Sequence, residues 1–265
     1  MSNKAMTVRV PRFIRNRKDQ KISVLAEGAG DKLAFVMHGL GGFKEDEHIA
    51  GMARCFVDAG FTVVRFDTTN TLGESDGKFE DATITNYYED LEDVIDWAST
   101  QDWFKSPFAL AGHSLGGFCT ALYAQRHPSE VSMLAPISTV VSGQLSVEAH
   151  ERYEPEAFAA WKKTGWKVEE SRSKPGIIKR LPWSHIEDRL TYDLMQDIAS
   201  LTMPVLLVVG ENDTSTPPDH VKIFHDALSG PKELHVVPGA PHTFRDAPYL
   251  GIVKAVISEW IGKHA

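Results

Sequence analysis

Gly112-His113-Ser114-Leu115-Gly116 sets a serine between two glycines at the spacing G-x-S-x-G. The run before it, residues 108–111, is short and apolar like a strand buried on both faces, and the run after it, 118–126, is helix-like. Between a strand and a helix this pentapeptide makes a sharp turn. The serine takes a strained backbone conformation, the glycines remove side chains that would collide, and Ser114 is expected exposed at the carboxyl edge of a sheet. Small residues can also simply cap a helix, but the flanking strand and helix favour the turn. The chemistry on offer is nucleophilic attack on a carbonyl carbon. A hydroxyl attacks poorly until a base takes its proton, and that base needs a third group to hold its tautomer.

Both partners are present downstream. The apolar run 205–209 ends in Gly210-Glu211-Asn212-Asp213, which puts Asp213 on a loop at the carboxyl end of a strand, with Pro217-Pro218 stiffening the entry to a helix. The next strand-like run, 233–237, leads into Pro238-Gly239-Ala240-Pro241-His242. The order Ser114, Asp213, His242 is the one a strand-turn-helix serine hydrolase requires. Asp213 could instead be an ordinary turn former, and Asp67, at the end of another strand, is its rival as the orienting carboxylate. His225 and His235 fall in regular elements and His264 in the tail. His38 and His113 flank the glycine-rich turns and are read as supporting residues.

A tetrahedral intermediate also needs backbone donors aimed at its oxyanion. The amide of Leu115, at the start of the helix after Ser114, is one candidate. The other is Leu40, in His38-Gly39-Leu40-Gly41-Gly42 after the strand 33–37, where glycines let the backbone approach a substrate closely. A dinucleotide loop is the competing reading, but Gly39-x-Gly41-x-x-Lys44 lacks the third glycine and no GxxxxGK[ST] occurs in the chain. No HExxH or comparable ligand cluster is present, so no metal and no organic cofactor is expected.

The elements that must position these residues follow from the hydrophobic pattern. Alternation at 7–13 and 21–26 around a polar run predicts an opening β-hairpin. Short continuous apolar runs at 33–37, 62–66, 108–111, 131–134, 205–209 and 233–237 predict buried strands, and most are separated by helical stretches. The clearest helix is 84–98, with Ile84, Tyr87, Leu91, Val94, Ile95 and Ala98 on one face and Thr83 as its cap. The fold class is therefore α/β, a mostly parallel central sheet flanked by helices. The alternation fails over 140–199, which holds Trp161, Trp166 and Trp183 together with several breakers. This interval reads as an inserted, partly helical cap subdomain on a core made of 1–139 and 200–265. The three tryptophans are candidates for lining a substrate pocket, with anchoring of the cap as the alternative.

The 265 residues, 42% hydrophobic and 24% charged, exclude a disordered tail, a collagen and a disulfide scaffold. A formal charge of −8 argues against nucleic acid or an anionic membrane as the main partner and favours a neutral small molecule. Cys55 and Cys119 form no CxxC or Cys/His spacing and are expected reduced. The first ten residues lack the apolar stretch of a signal peptide and no apolar run could span a bilayer, so a cytoplasmic protein is expected. A homodimer is compatible with the sequence.

With these residues placed, nearly the whole chain resembles the α/β-hydrolase superfamily. Within it, His38-Gly39-Leu40-Gly41-Gly42-Phe43-Lys44, Glu47-His48-Ile49, Arg65-Phe66-Asp67 and Gly73-Glu74-Ser75-Asp76-Gly77 are similar to the small bacterial carboxylesterases that include cinnamoyl and feruloyl esterases. The loop 67–73 departs from that subgroup: it is one residue longer and lacks the first glycine of a Gly-x-Gly. The resemblance implies a Ser-His-Asp serine esterase acting on a small-molecule carboxylic ester, with the cap covering its acyl pocket. A thioesterase, an amidase or peptidase-like hydrolase, a perhydrolase and a non-catalytic ligand-binding protein are the alternatives on the same fold.

Overall fold

Strand β1 (Arg12–Arg15) pairs antiparallel with β2 (Lys21–Glu27) in the computed structural model, which describes residues 12–265. The remainder of the expected first strand of this hairpin, residues 7–11, lies outside the described residues. There follow β3 (Lys32–Met37), α1 (Glu47–Asp58), β4 (Phe61–Phe66), α2 (Ile84–Ser99), β5 (Phe108–His113), α3 (Leu115–Arg126) and β6 (Val131–Ile137). Residues 138–204 interrupt the alternation with α4 (Gly143–Tyr153), α5 (Pro155–Thr164), a hairpin of β7 (Trp166–Glu170) and β8 (Ile178–Pro182), and α6 (Ser184–Arg189). Then β9 (Val205–Gly210), α7 (Pro218–Ala227), β10 (Lys232–Val237) and α8 (Ala247–His264) complete the chain.

The eight-stranded sheet has the order β1-β2-β4-β3-β5-β6-β9-β10, parallel from β4 to β10 and antiparallel at β1-β2 and β2-β4. Its central strands are predominantly apolar because both faces are covered. In β3, Leu33, Phe35 and Met37 pack with Tyr87 of α2 and Phe118 of α3, while Ala34 and Val36 pack with Phe56 of α1 and Trp260 of α8. Each large side chain fully buried this way contributes roughly 1.5–3 kcal/mol. Helix α2 begins where Thr83 accepts the Asn86 amide at 3.0 Å, satisfying an otherwise free first-turn donor. Among the described residues no helix is long and apolar enough to cross a membrane.

The interval between β6 and β9 holds three α-helices and a hairpin that the hydrophobic pattern does not reveal. In β7, Trp166 and Val168 alternate with Lys167 and Glu169 over only four residues and the apolar pair is exposed, while β8 runs Ile178-Lys179-Arg180-Leu181-Pro182 without alternation, so neither strand shows a buried apolar face. Pro155 opens α5 and Gly165, with φ 78°, ends it, so the two breakers delimit this helix.

Candidate active site

Ser114 lies between β5 and α3 with φ 55° and ψ −118°, a left-handed conformation costing roughly 1–3 kcal/mol in a residue with a side chain. The surroundings over-determine it. The Ser114 amide donates to Ile137 O at 2.9 Å. A Cβ on Gly112 would lie 2.4 Å from the Gly116 carbonyl, and one on Gly116 would lie 2.4 Å from His38 O. Strand, turn and helix can approach this closely only with glycine at both positions.

The turn points the hydroxyl at His242. Ser114 Oγ lies 3.0 Å from His242 Nε2, and His242 Nδ1 lies 2.8 Å from Asp213 Oδ2. A carboxylate only accepts, so Nδ1 carries the proton and Nε2 is free to take one from the serine. Asp213 is buried at the end of β9. Its Oδ1 accepts the amides of Ser215 and Thr216 at 2.9 and 2.8 Å, and the Thr216 hydroxyl lies 2.8 Å from Oδ2. Burial works to raise its pKa, but His242 and the Thr216 donors outweigh that and hold the carboxyl below its ordinary value. Thr216 is not singled out by the sequence reading; a hydroxyl donor three residues after an aspartate at a turn is the signal that could find it.

Asp67 is engaged elsewhere. Its Oδ1 accepts the Lys44 amide at 2.6 Å, and Oδ2 accepts Lys44 Nζ at 2.9 Å and the Glu74 amide at 2.8 Å. His38 is buried and its pKa is lowered, chiefly by desolvation; Nδ1 donates to Gly39 O at 2.8 Å and Nε2 accepts the Thr68 amide at 3.1 Å. It braces the glycine-rich loop. His113, driven down to about 3 mainly by burial, donates through Nε2 to His242 O at 2.8 Å and so holds the His242 loop. The amide of Leu40 has no hydrogen-bond partner among the described residues, and that of Leu115 opens α3, where no intrahelical acceptor exists. Both residues line the cavity beside Ser114.

That cavity, about 220 Å³, lies between the sheet edge and the segment 138–204. The three tryptophans separate. Trp161 of α5 is buried and lines it; Trp166 and Trp183 do not. In β7 the two-residue period turns Lys167 and Glu169 to the cavity and Trp166 away, where Arg180 stacks 4.5 Å from its ring. Trp183 packs on Phe158 and Trp161, ring centres 5.3 and 5.7 Å away. Both partners belong to α5, so Trp183 packs within the segment 138–204. Trp183→Ala is expected to destabilise by roughly 2–4 kcal/mol while leaving the relative rates on different substrates in place. Trp161→Ala should both destabilise and change that ranking. Thermal melts run beside a substrate panel check both, and an unchanged ranking in Trp161→Ala would remove it from the substrate wall.

A model of the serine aminopeptidase S33 family matches residues 29–245. An Escherichia coli protein of 31.7 kDa from the traX-finO intergenic region is 28% identical over 261 residues, covering 88% of this chain and 91% of its own. The mitochondrial palmitoyl-protein thioesterase ABHD10 of Bos taurus is 27% identical over 164 residues, covering 60% of this chain and 49% of its own. Among solved structures, Est1E from Butyrivibrio proteoclasticus with bound ferulic acid superposes with a TM-score of 0.78 at 22% identity, covering 96% of this chain and 98% of that one. The strand order, the strained turn at Ser114 and the family match over most of the chain agree: this protein belongs to the serine aminopeptidase S33 family of α/β hydrolases.

Proposed function

We propose that the protein is a serine hydrolase that cleaves carboxylic esters through an acyl-enzyme on Ser114. The observation that carries this reading is the hydrogen-bonded chain from Ser114 through His242 to Asp213, at 3.0 and 2.8 Å, opening on a cavity. His242 takes the serine proton as Oγ bonds to the carbonyl carbon, then gives it to the departing alkoxide as the C–O bond breaks. Water deprotonated by the same imidazole releases the acid and restores the serine. The amides of Leu40 and Leu115 hold the oxyanion, each worth roughly 3 kcal/mol of barrier. On this reading residues 140–199 serve as the cap and the rest of the chain as the core.

A thioester is the second reading that a specific observation favours, because one relative is a palmitoyl-protein thioesterase. The same attack would release a thiolate in place of an alkoxide. The test is a fluorophosphonate probe with intact-mass measurement, followed by matched oxygen and thiol esters. One probe adduct, absent from Ser114→Ala, is the expected result; no adduct on the wild-type protein would overturn the reading. Nucleophile, base and oxyanion donors all come from the chain, so dialysis against EDTA should leave turnover within about twofold. Loss of activity restored by one divalent ion would contradict this.

A further inference from the structure

The cavity wall beside Ser114 carries five cationic side chains, Lys167, Arg172, Lys179, Arg189 and Arg245, against two carboxylates, Glu154 and Glu169. The chain as a whole has a formal charge of −8, so the sign is reversed locally. The two lysines use up both glutamates: Lys167 Nζ lies 3.3 Å from Glu154 and 3.4 Å from Glu169, and Lys179 Nζ lies 2.7 Å from Glu169. Arg245 has Asp46 at 3.6 Å and donates to Ser173, and Arg172 is exposed.

Arg189 differs from these. It ends α6 with 8% of its surface exposed, and a buried cation ordinarily has a carboxylate beside it. Its sequence neighbour Asp188 instead accepts from the Ile84 and Thr85 amides and the Thr85 hydroxyl. The guanidinium donates from one terminal nitrogen to Ser146 Oγ and from the other to His185 Nε2, both at 2.6 Å. His185 Nδ1 donates to Ala82 O, so its Nε2 can only accept. The imidazole stays neutral because burial, then the adjacent Arg189, push its pKa down to about 3. Of five N–H bonds on the guanidinium, two are thus engaged, and the buried Nε has no partner among the described residues. Trp161 Nε1, on the same wall, is also buried without a partner.

We propose that Arg189 is the subsite for a carboxylate at the far end of the substrate, so that the preferred substrates are esters or thioesters bearing a second, free carboxylate, such as monoesters of dicarboxylic acids. The proposal rests on the ester-hydrolase reading above. A planar guanidinium fork with unused donors matches a carboxylate in geometry and charge, and the unpartnered Trp161 indole offers a further donor in the same wall. Apolar wall residues Leu115, Val140 and Leu181 suit a hydrocarbon spacer. The competing role for Arg189 is purely structural, holding α6 to α4 through Ser146.

The experiment compares monomethyl esters of dicarboxylic acids with methyl esters of monocarboxylic acids of the same length, by proton release, in wild type, Arg189→Gln, Arg189→Lys and Arg245→Gln. Read as a ratio of kcat/KM within each protein, any general loss of activity cancels. Wild type should favour the acid-ended ester by roughly ten- to a hundredfold at its best length, carried mainly by KM. Arg189→Gln should bring the ratio near one, Arg189→Lys should keep part of it, and Arg245→Gln should keep most of it. A wild-type ratio at or below one at every length overturns the proposal, as does an Arg189→Gln protein that loses both activities by the same factor. A ratio abolished only by Arg245→Gln places the carboxylate elsewhere. If the Arg189 variants do not fold, wild type still decides: free dicarboxylates should inhibit it competitively far better than matched monocarboxylates, and equal inhibition overturns the proposal. Fluorophosphonate labelling of Ser114 with no acid preference sinks this inference alone. No labelling sinks the hydrolase reading, and a melting shift by dicarboxylate but not monocarboxylate, lost in Arg189→Gln, then tests the subsite by itself.

Discussion

Ser114→Ala is expected to lower kcat on any ester the protein cleaves by roughly 10⁴- to 10⁶-fold while the protein still folds. On the proposed mechanism, what remains is binding and the proposed backbone donors at Leu40 and Leu115, which would stabilise an oxyanion formed by water attack but supply no nucleophile. The substitution removes one oxygen whose contact is His242 Nε2 at 3.0 Å. The strained φ of 55° is held by the neighbouring glycines and the Ile137 carbonyl, all untouched. Loss of one hydrogen bond is worth roughly 1 kcal/mol, so the melting temperature should move by no more than about 4 °C. Steady-state rates with a chromogenic ester, beside a melting curve, check both halves. A variant retaining a tenth of the wild-type rate would mean that Ser114 is not the attacking group.

Asp213→Asn should cost about 10⁴-fold in kcat, through tautomer control more than through charge. Asp213 Oδ1 accepts two backbone amides, so an asparagine must place its carbonyl oxygen there. Its NH2 then occupies the Oδ2 position, 2.8 Å from His242 Nδ1. A donor facing that nitrogen forces the imidazole proton onto Nε2, where it can no longer accept the proton of Ser114. Asp67→Asn makes the opposite prediction. It removes one of three carboxylates around the buried Lys44 ammonium, leaving Glu45 and Glu74, so stability should fall by roughly 1–3 kcal/mol while the surviving folded enzyme turns over at a comparable rate. Parallel kinetics and denaturant melts of the two variants separate them. Asp67→Asn crippled at full stability, beside a nearly normal Asp213→Asn, would exchange the two roles.

The strand at 205–209, the helix at 84–98 and the turn at Ser114 were legible because each is written in consecutive residues. Continuous apolar runs mean strands covered on both faces, a 3.6-residue stripe means one buried helix face, and two glycines around a serine allow a turn that other residues would block. The order Ser114, Asp213, His242 could likewise be read from which strand ends carry polar residues. Choosing between Asp213 and Asp67 could not, since both close apolar strands. Sheet order does not make that choice either, because β4 and β9 each lie two strands from β5; it fell to the loop after β10, which brings His242 to both Ser114 and Asp213, while Asp67 is taken by Lys44, and the contact that matters joins residues 128 apart. The segment between β6 and β9 was the least legible. In β7 a charged face alternates with an apolar one, but the charged face meets the cavity and Trp166 turns outward, so a period of two points to the wrong face, and three tryptophans that look alike in sequence are divided into one wall residue, one packed on the aromatic rings of α5 and one outward-facing ring. The sign of the cavity was hidden for the same reason. Net charge sums over the whole surface, whereas a pocket takes its charge from the few side chains that distant segments turn inward, and only the packing of that hairpin and α6 over the sheet edge brings Lys167, Lys179 and Arg189 together beside Ser114.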